Sequence, residues 1–447
     1  MKIDKSIFKP YDIRGVYPNQ INEYTAKLIG RAVTELLNPK QAVLVKDVRI
    51  GSDKIYQSLI EGLLEGGCNV DYLGESTTDM MYFAVGKYAY DLGISVTGSH
   101  NPPNYTGIKI VTKGVIPVSG DSGIFDIQEK AAAGRFKEVS TKGSYKEVNL
   151  RKDYTNHVLS FIDPLRIKPL TLCVDIGNGA VGDAAQDVLS KLPVKVHYLF
   201  KEKDGSFPNH LPDPSKEENV RSLKKKVLET RSDLGAAFDG DGDRVFFIDE
   251  KGDYTIGYFL TCLFSRILLN KNPGEKVIYD SRFNWAIIDT VKKFGGMPLL
   301  NKVGHAFIKE RMRSENALFA GESSSHFYFR KNFFADNGII PLLLLLELIS
   351  SEGKTLSQLL SYYRKNYIWA GEFSTEVKDA DIVMDKIKAI YSNYKVDETD
   401  GISIDNDREW RFNVRKSNTE PLIRLCVEGK NQELVNRVVK EVSKIIK

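Results

Sequence analysis

Apolar positions along this chain alternate between two periods. From Ile21 to Leu37, the residues Ala26, Leu28, Ile29, Ala32, Val33, Leu36 and Leu37 recur at helical spacing. Ala42-Val43-Leu44-Val45 follows as a short continuous apolar run, the pattern of a buried strand. Tyr56 to Leu64 predicts a helix again, and Asn69 to Leu73 a strand. Ile94-Ser95-Val96 then runs directly into a loop of serine, asparagine and proline. The rhythm restarts after Tyr154: Leu172-Cys173-Val174-Asp175 predicts a strand, and Gly177-Asn178-Gly179 a turn into a helix. Leu234 to Phe238 is a second strand pattern and delivers an aspartate-rich loop, with Val245 to Ile248 strand-like beyond it. Glycine, proline and lysine around Lys271 to Lys276 mark a boundary. Lys276 to Tyr279 and Ala317 to Ala320 predict strands, and Asn337 to Ser350 a buried helix. Strands alternating with helices predict α/β layers, repeated along the chain.

The C-terminal stretch has a different pattern. Trp410-Arg411-Phe412-Asn413-Val414 alternates, Leu422 to Val427 is strand-like, and Glu433 to Ile446 is an amphipathic helix. This predicts a smaller α+β domain. No short repeat or low-complexity segment is visible, although successive α/β units can share a fold without visible identity.

Composition narrows the class. At about 150 residues per domain, 447 residues suggest roughly three domains. With 42% hydrophobic and 27% charged residues the chain reads as soluble and globular, not disordered. A net charge of +4 and a pI near 8.5 are too mild to argue for nucleic-acid or membrane binding. Cys68, Cys173, Cys262 and Cys426 are far apart and form no Cys-x-x-Cys pair, which argues against a disulfide framework or zinc site and for a reducing, cytoplasmic setting. Met1-Lys2-Ile3-Asp4-Lys5 lacks the apolar core of a signal peptide. The apolar run Ile339 to Leu346 ends at Glu347 and falls short of the ~20 residues that span a bilayer.

Four polar loops carry the candidate chemistry. In Thr97-Gly98-Ser99-His100-Asn101-Pro102-Pro103, two prolines exclude regular structure and Gly98 permits close backbone approach. Ser99 is expected to be exposed at a strand end, where α/β sheets bind ligands, although an ordinary Ser/Asn/Pro turn reads the same way. In Asp239-Gly240-Asp241-Gly242-Asp243-Arg244, three carboxylates alternate with small residues. An EF-hand is excluded, because Arg244 stands where that loop needs glycine and the flanks are strands. A solvated acidic turn competes with a hard-cation site, and the repulsion of three close carboxylates favours the cation, with Mg²⁺ the best fit to the ligand set. Gly321-Glu322-Ser323-Ser324-Ser325-His326 offers Glu322 and Ser324 on one face of an extended segment, which suits vicinal sugar hydroxyls or a polar turn. Arg415-Lys416-Ser417-Asn418-Thr419-Glu420-Pro421, with Arg424 beyond, is either a dianion cradle or a hairpin with a solvated tip.

Taken together and in order, these residues resemble the α-D-phosphohexomutase family. The resemblance also covers Phe8-Lys9-Pro10-Tyr11-Asp12-Ile13-Arg14-Gly15, Tyr105-Thr106-Gly107-Ile108-Lys109, and Gly304-His305 with Lys309. It implies three successive α/β domains with mixed sheets and a C-terminal α+β lid domain around a central cleft. The matching domain spans are 1–150, 151–255, 256–367 and 368–447. It further implies that Ser99 carries a phosphoryl group and passes it to a hexose 1-phosphate. A hexose 1,6-bisphosphate forms, turns over and returns its other phosphate to Ser99. Mg²⁺, one per chain, would be held by Ser99, Asp239, Asp241 and Asp243, with the bisphosphate as activator. Arg14 and Arg244 are implied to support the active site. Lys109 and His100 stand where the family places general acid/base candidates, Lys109 being the preferred one. Tyr11, Arg282, His305, Glu322 and Ser324 are implied to meet the sugar, Glu322 and Ser324 at O3 and O4. Arg415, Ser417, Asn418 and Thr419 are implied to grip the phosphate that is not transferred.

The chain departs from the family pattern in places. Gly98 stands where alanine is more usual, a change expected to be harmless, and Thr106 replaces a common asparagine. Arg282 stands near a lysine position and Ser325 at a usual glycine. Glu322-Ser323-Ser324-Ser325-His326 is similar to the Glu-x-Ser-Gly-His loop of glucose and mannose mutases. Asn418 and Asn101-Pro102-Pro103 also favour the phosphomannomutase/phosphoglucomutase branch. Phosphoglucosamine mutase is the alternative within the enzyme class. A non-catalytic sugar-phosphate binding protein and a metal-dependent phosphatase are the alternatives outside it. The partners expected are small sugar phosphates.

Overall fold

The structure, a computed structural model, describes residues 3–416 and 422–447. It divides into two compact units: Met1–Thr255 with His326–Leu356, and Ile256–Ser325 with Ser357–Lys447.

The first unit opens with β1 (Ile13–Val16), α1 (Glu23–Leu37), β2 (Gln41–Lys46), α2 (Ser52–Glu65), β3 (Asn69–Glu75), α3 (Thr78–Tyr88), β4 (Leu92–Val96) and β5 (Tyr105–Thr112). Short β6 (Ile116–Pro117), α4 (Ile124–Ala133) and β7 (Tyr145–Glu147) complete the first sheet, whose order is β1-β5-β4-β2-β3-β7 with β6 on β5. β2 is parallel to β3 and β4, whereas β5 is antiparallel to β4 and β1. The sequence explains this layering. β4 is buried along its whole length, as a strand covered by helices must be. α1 starts at Asn22, whose side chain accepts from Thr25 N–H, and stops at Asn38 in the left-handed region. Its apolar face (Ala26, Ile29, Ala32, Val33) packs with Ile55, Leu59 and Leu63 of α2 in one core.

A second sheet follows in the same unit. Its elements are α5 (Arg151–Leu159), β8 (Leu170–Asp175), α6 (Gly182–Leu189), β9 (Val194–Leu199), α7 (Arg221–Thr230), β10 (Leu234–Phe238), β11 (Val245–Ile248) and β12 (Tyr254–Thr255), in order β12-β11-β10-β8-β9.

The second unit contains α8 (Gly257–Lys271), β13 (Lys276–Asp280), α9 (Trp285–Lys293), β14 (Met297–Asn301), α10 (His305–Ser314) and β15 (Phe319–Gly321). β13 lies between β14 and β15, parallel to both. The expected strand at Ala317 begins two residues later, because the Ala317 N–H is used by Met312 O (2.8 Å) at the end of α10.

Hairpin β16 (Phe327–Phe329) and β17 (Ala335–Asp336) belongs to the first unit, as does α11 (Ile339–Glu352). The apolar run is therefore a buried helix. Its start is capped by Asn337, which accepts from Ile339 and Ile340 N–H, each at 2.8 Å. Among the described residues no helix is long and apolar enough to cross a membrane. The second unit ends with α12 (Leu356–Asn366), β18 (Ile368–Glu376), α13 (Ala380–Ile390), β19 (Lys395–Asp397), β20 (Ile402–Asn406), β21 (Trp410–Lys416), β22 (Leu422–Gly429) and α14 (Gln432–Ile446). Its sheet, β18-β22-β21-β20-β19, is antiparallel throughout, so the C-terminal part is α+β as its alternation predicts.

One topology occurs three times. β3-β2-β4, β9-β8-β10 and β14-β13-β15 are each parallel triplets with the first strand in the middle and the third beside it. A polar loop follows the third strand each time. The Ser99 loop follows β4, the aspartate loop follows β10, and the Glu322 loop follows β15. The three α/β repeats are thus real, though invisible as identity.

Candidate active site

In the first unit, the loops after β4 and β10 converge. The Ser99 hydroxyl donates to Asp239 Oδ2 at 3.1 Å, accepts from Arg244 Nη2 at 3.2 Å, and lies 3.3 Å from His100 Nδ1. Gly240 permits this approach, since a Cβ there would sit 2.5 Å from the Ser99 carbonyl oxygen. Ser99 is only 4% exposed and holds a left-handed backbone with φ +49°. The expectation of an exposed serine is corrected here: the aspartate loop covers it.

Asp239, Asp241 and Asp243 are buried, and each offers an oxygen within 4.8 Å of the others. Lys109, carried inward by β5, donates to Asp241 Oδ2 at 2.7 Å and to Asp243 Oδ2 at 2.6 Å. Arg244 closes on Asp239 with Nη2 2.9 Å from Oδ2. Thr78, first residue of α3, donates its hydroxyl to Asp241 Oδ2 at 2.6 Å. Burial raises the Asp239 carboxyl well above its usual range, with Asp243 and Asp241 adding to the effect and Arg244 opposing it. Burial also disfavours ionisation of Asp243, but the charge of Lys109 overrides it and holds that carboxyl low. Three acids share two cations, and their oxygens are not all used. Asp241 Oδ1 and Asp243 Oδ1 are buried without a hydrogen-bond partner among the described residues. Unsatisfied carboxylate oxygens are costly in a dry site, and a hard divalent cation is what such a donor set fits. His326 Nε2 lies 3.8 Å from Asp243 Oδ1, and Asp243, His326 and Asp336 form a second group with metal-ligand spacing.

The two acid/base candidates are held differently. Lys109 faces a large burial penalty that the charges of Asp241 and Asp243 overcome, so its pKa lies well above the ordinary lysine value. His100 is pushed well below the usual histidine range, first by the Arg244 charge and then by burial. Arg244 Nη2 donates to His100 Nδ1, which fixes that nitrogen as an acceptor. Arg14 pairs with Asp12 and donates through Nη1 to the Asn101 side chain on the serine loop. Tyr11 stands half-buried in the bend before β1.

In the second unit, Asp280 at the end of β13 organises the loop after β15. Its Oδ2 accepts from Ser323 N–H at 2.6 Å and from Arg282 Nη2 at 2.7 Å. Arg282 Nη2 also reaches Ser324 Oγ at 3.3 Å and lies 3.7 Å from Glu322 Oε1. Glu322, 1% exposed, accepts from Gly304 N–H at 3.1 Å, next to His305 at the start of α10. Arg282, His305, Glu322 and Ser324 therefore come together. Arg415 on β21 pairs with Glu372 on β18, which also accepts from Arg424 Nη1 at 2.8 Å. The charges of Arg415, Arg282 and Arg424 overcome the burial penalty and hold the Glu372 carboxyl at about 2. Ser417, Asn418 and Thr419 lie outside the described residues.

Sequence reasoning missed Thr78, Asp280 and Arg49. Arg49 grips the serine loop, and a Cβ at Gly98 would meet its Nε at 2.7 Å. Glycine therefore fits position 98 in this packing where an added Cβ would crowd Arg49 and the Tyr105 carbonyl. The four cysteines are buried and unpaired.

Family models match along the chain in order. Phosphoglucomutase/phosphomannomutase α/β/α domain I matches residues 5–138, domain II residues 152–252, domain III residues 251–367, and the C-terminal domain residues 374–445. The chain belongs to the phosphoglucomutase/phosphomannomutase family. It is 41% identical to a phosphomannomutase of Vibrio cholerae serotype O1, over 98% of both chains. It is 40% identical to a phosphomannomutase of Escherichia coli K12, over 95% of this chain and 94% of that one. A crystal structure of a phosphoglucomutase/phosphomannomutase family protein from Burkholderia thailandensis superposes with a TM-score of 0.91 at 30% identity, covering 100% of this chain and 98% of that chain. The enzyme is thus a phosphohexomutase, an isomerase with an acidic cluster able to bind metal.

Proposed function

We propose that this phosphohexomutase interconverts the 1- and 6-phosphates of mannose and glucose through a phosphorylated Ser99 and a hexose 1,6-bisphosphate. The observation that carries the reading is the Ser99 hydroxyl set 3.1 Å from Asp239 Oδ2 beside two further buried carboxylates. The Ser99 Oγ–P bond breaks as a bond forms between phosphorus and a sugar hydroxyl, whose proton goes to a base. In the return step the other phosphate is passed back to Ser99 Oγ. Dividing one transposition into two matched transfers is what a covalent carrier achieves.

Mg²⁺ would be held by Asp239, Asp241 and Asp243 with an oxygen at Ser99, and would offset phosphoryl charge. Arg244 supports this by fixing Asp239 and the Ser99 hydroxyl. Lys109, donating to two carboxylates, serves as charge partner, and Lys109 and His100 remain the two candidates for taking the hydroxyl proton, Lys109 being preferred on sequence grounds. Glu322 and Ser324 would read the sugar hydroxyls, aided by Arg282, His305 and Tyr11. Arg415 with Ser417, Asn418 and Thr419 would hold the second phosphate. Four unpaired cysteines suit a cytoplasmic setting.

The test is turnover with Mg²⁺ and a catalytic amount of hexose 1,6-bisphosphate, comparing glucose, mannose and glucosamine 1-phosphates. Conversion of the glucose and mannose substrates is expected. Turnover of glucosamine 1-phosphate alone would overturn the sugar assignment, and no turnover of any would overturn the catalytic reading.

A further inference from the structure

Three backbone carbonyls of the loop after β4, and that of Tyr105 at the start of β5, converge on one guanidinium. Arg49, in the bend between β2 and α2, is 2% exposed. Its Nη2 donates to the carbonyls of Ser99 and Asn101, both at 2.6 Å. Its Nη1 donates to the carbonyls of Tyr105, at 3.2 Å, and Pro102. Two supports fix the guanidinium itself. It lies over the Phe207 ring at 4.9 Å from the centroid, and its Nε is 3.1 Å from Asp47 Oδ2. That same carboxylate oxygen accepts from Gly98 N–H at 3.1 Å, while Asp47 Oδ1 accepts from Arg49 N–H and the Ser52 hydroxyl. Arg49 and Asp47 thus hold the loop at residues 98, 99, 101, 102 and 105.

This grip matters because of the backbone it holds. Ser99 has φ +49°, a conformation that a residue with a Cβ keeps only when its surroundings over-determine it. The carbonyl that follows that strained φ is one of the two that Arg49 Nη2 takes. Gly98 completes the fit, since a Cβ there would lie 2.7 Å from Arg49 Nε and 2.7 Å from the Tyr105 carbonyl.

We propose that Arg49 is the positioning residue of the phosphoryl-carrying loop: stacked on Phe207 and paired with Asp47, it gathers the loop's carbonyls and sets the Ser99 backbone from which the phosphoryl group is delivered. The inference rests on Ser99 being the carrier. A lysine cannot take the place, because an ammonium has neither the planar fork nor the stacking face.

The experiment compares wild type, Arg49→Lys and Phe207→Leu in three measurements. These are kcat and KM for glucose 1-phosphate with Mg²⁺, the thermal midpoint, and the rate at which glucose 1,6-bisphosphate adds phosphate to Ser99, read by intact mass. Small displacement of reacting groups costs about 100-fold in rate, so Arg49→Lys is expected to lose about that much in kcat with KM little changed. Ser99 phosphorylation should slow in parallel; the thermal midpoint should fall, because buried carbonyls lose donors, so rates are compared at a temperature where both proteins are folded. Phe207→Leu should show the same split, to a smaller degree, and decides the matter if Arg49→Lys does not fold. A folded Arg49→Lys with wild-type kcat, or Phe207→Leu with KM rising and kcat unchanged, would overturn the inference. Wild type that takes no phosphate at Ser99 would instead overturn the carrier assignment beneath it.

Discussion

The loop after β10 and the end of β13 each gather acids beside a polar loop of a parallel triplet, yet they treat those acids in opposite ways. After β10, Asp241 and Asp243 each keep one buried oxygen without a hydrogen-bond partner. In the second unit, both oxygens of Asp280 are used: Oδ1 by Arg282 N–H and Ser323 Oγ, Oδ2 by Ser323 N–H and the Arg282 guanidinium. The open set leaves carboxylate oxygens that could take a metal ion, while the closed set is complete and holds Arg282 and the Ser323 backbone in place. Under the function proposed above, the first would serve the chemistry and the second the recognition of the sugar.

Five measurements break or sharpen that contrast. Ser99→Ala removes the group the open centre serves and should lower kcat by about 10⁴-fold or more, with the fold intact by circular dichroism. Near-normal turnover in that variant would sink the chemical centre altogether. Asp280→Asn breaks a buried pair inside the closed frame and should cost about 3 kcal/mol of stability in denaturant titration, with Mg²⁺ response retained. Asp241→Asn tests the open set. Mg²⁺ at 100 times its Kd should stabilise wild type by about 2.7 kcal/mol, and the variant should lose most of that gain and most activity. Equal Mg²⁺ stabilisation in both would show that the ion is held elsewhere. Arg415→Ala should raise KM for the sugar phosphate by about tenfold, as loss of one charge-assisted phosphate contact implies, with a smaller change in kcat.

The smallest effect belongs to a pair in neither loop. Burial works against the charged form of His210, but hydrogen bonding to Asp175, at 3.2 Å, and its charge prevail and raise the imidazole's pKa. The raised pKa means that protonation favours the folded state. The contribution is fully present below the unfolded value of about 6.5 and is lost as pH rises through the folded one. A thermal-midpoint profile from pH 5 to 8.5 should therefore flatten on its alkaline side in His210→Gln. An unchanged profile would remove the pair from the pH dependence.

Much of this is legible in the sequence. Leu234–Phe238 and Val245–Ile248 are read to the residue, because strands buried on both faces are continuous apolar runs cut off by a charged loop. α3 is not, because every residue from Thr78 to Val85 is buried and the helix shows no apolar stripe. β5 mixes Thr106, Gly107 and Lys109 with apolar residues, and nothing local reveals that its lysine meets a loop 132 residues away. The aspartate triad announced itself by spacing alone. Arg49 did not, since its partners are backbone carbonyls, which every residue has, and Asp280 looked like any strand-end acid. The error about Ser99 exposure has the same origin: a polar loop reads as solvent-facing until a second polar loop is found to cover it.

The contact between Gly240 and the Ser99 carbonyl has a consequence for how this centre tolerates change. With 2.5 Å between that oxygen and where a Cβ would stand, two main chains touch with no side chain between them. The approach of the two loops at this point is limited by backbone thickness, so a side chain at 240 could be accommodated only by moving a loop. Any side chain at 240 should therefore register as damage at 99.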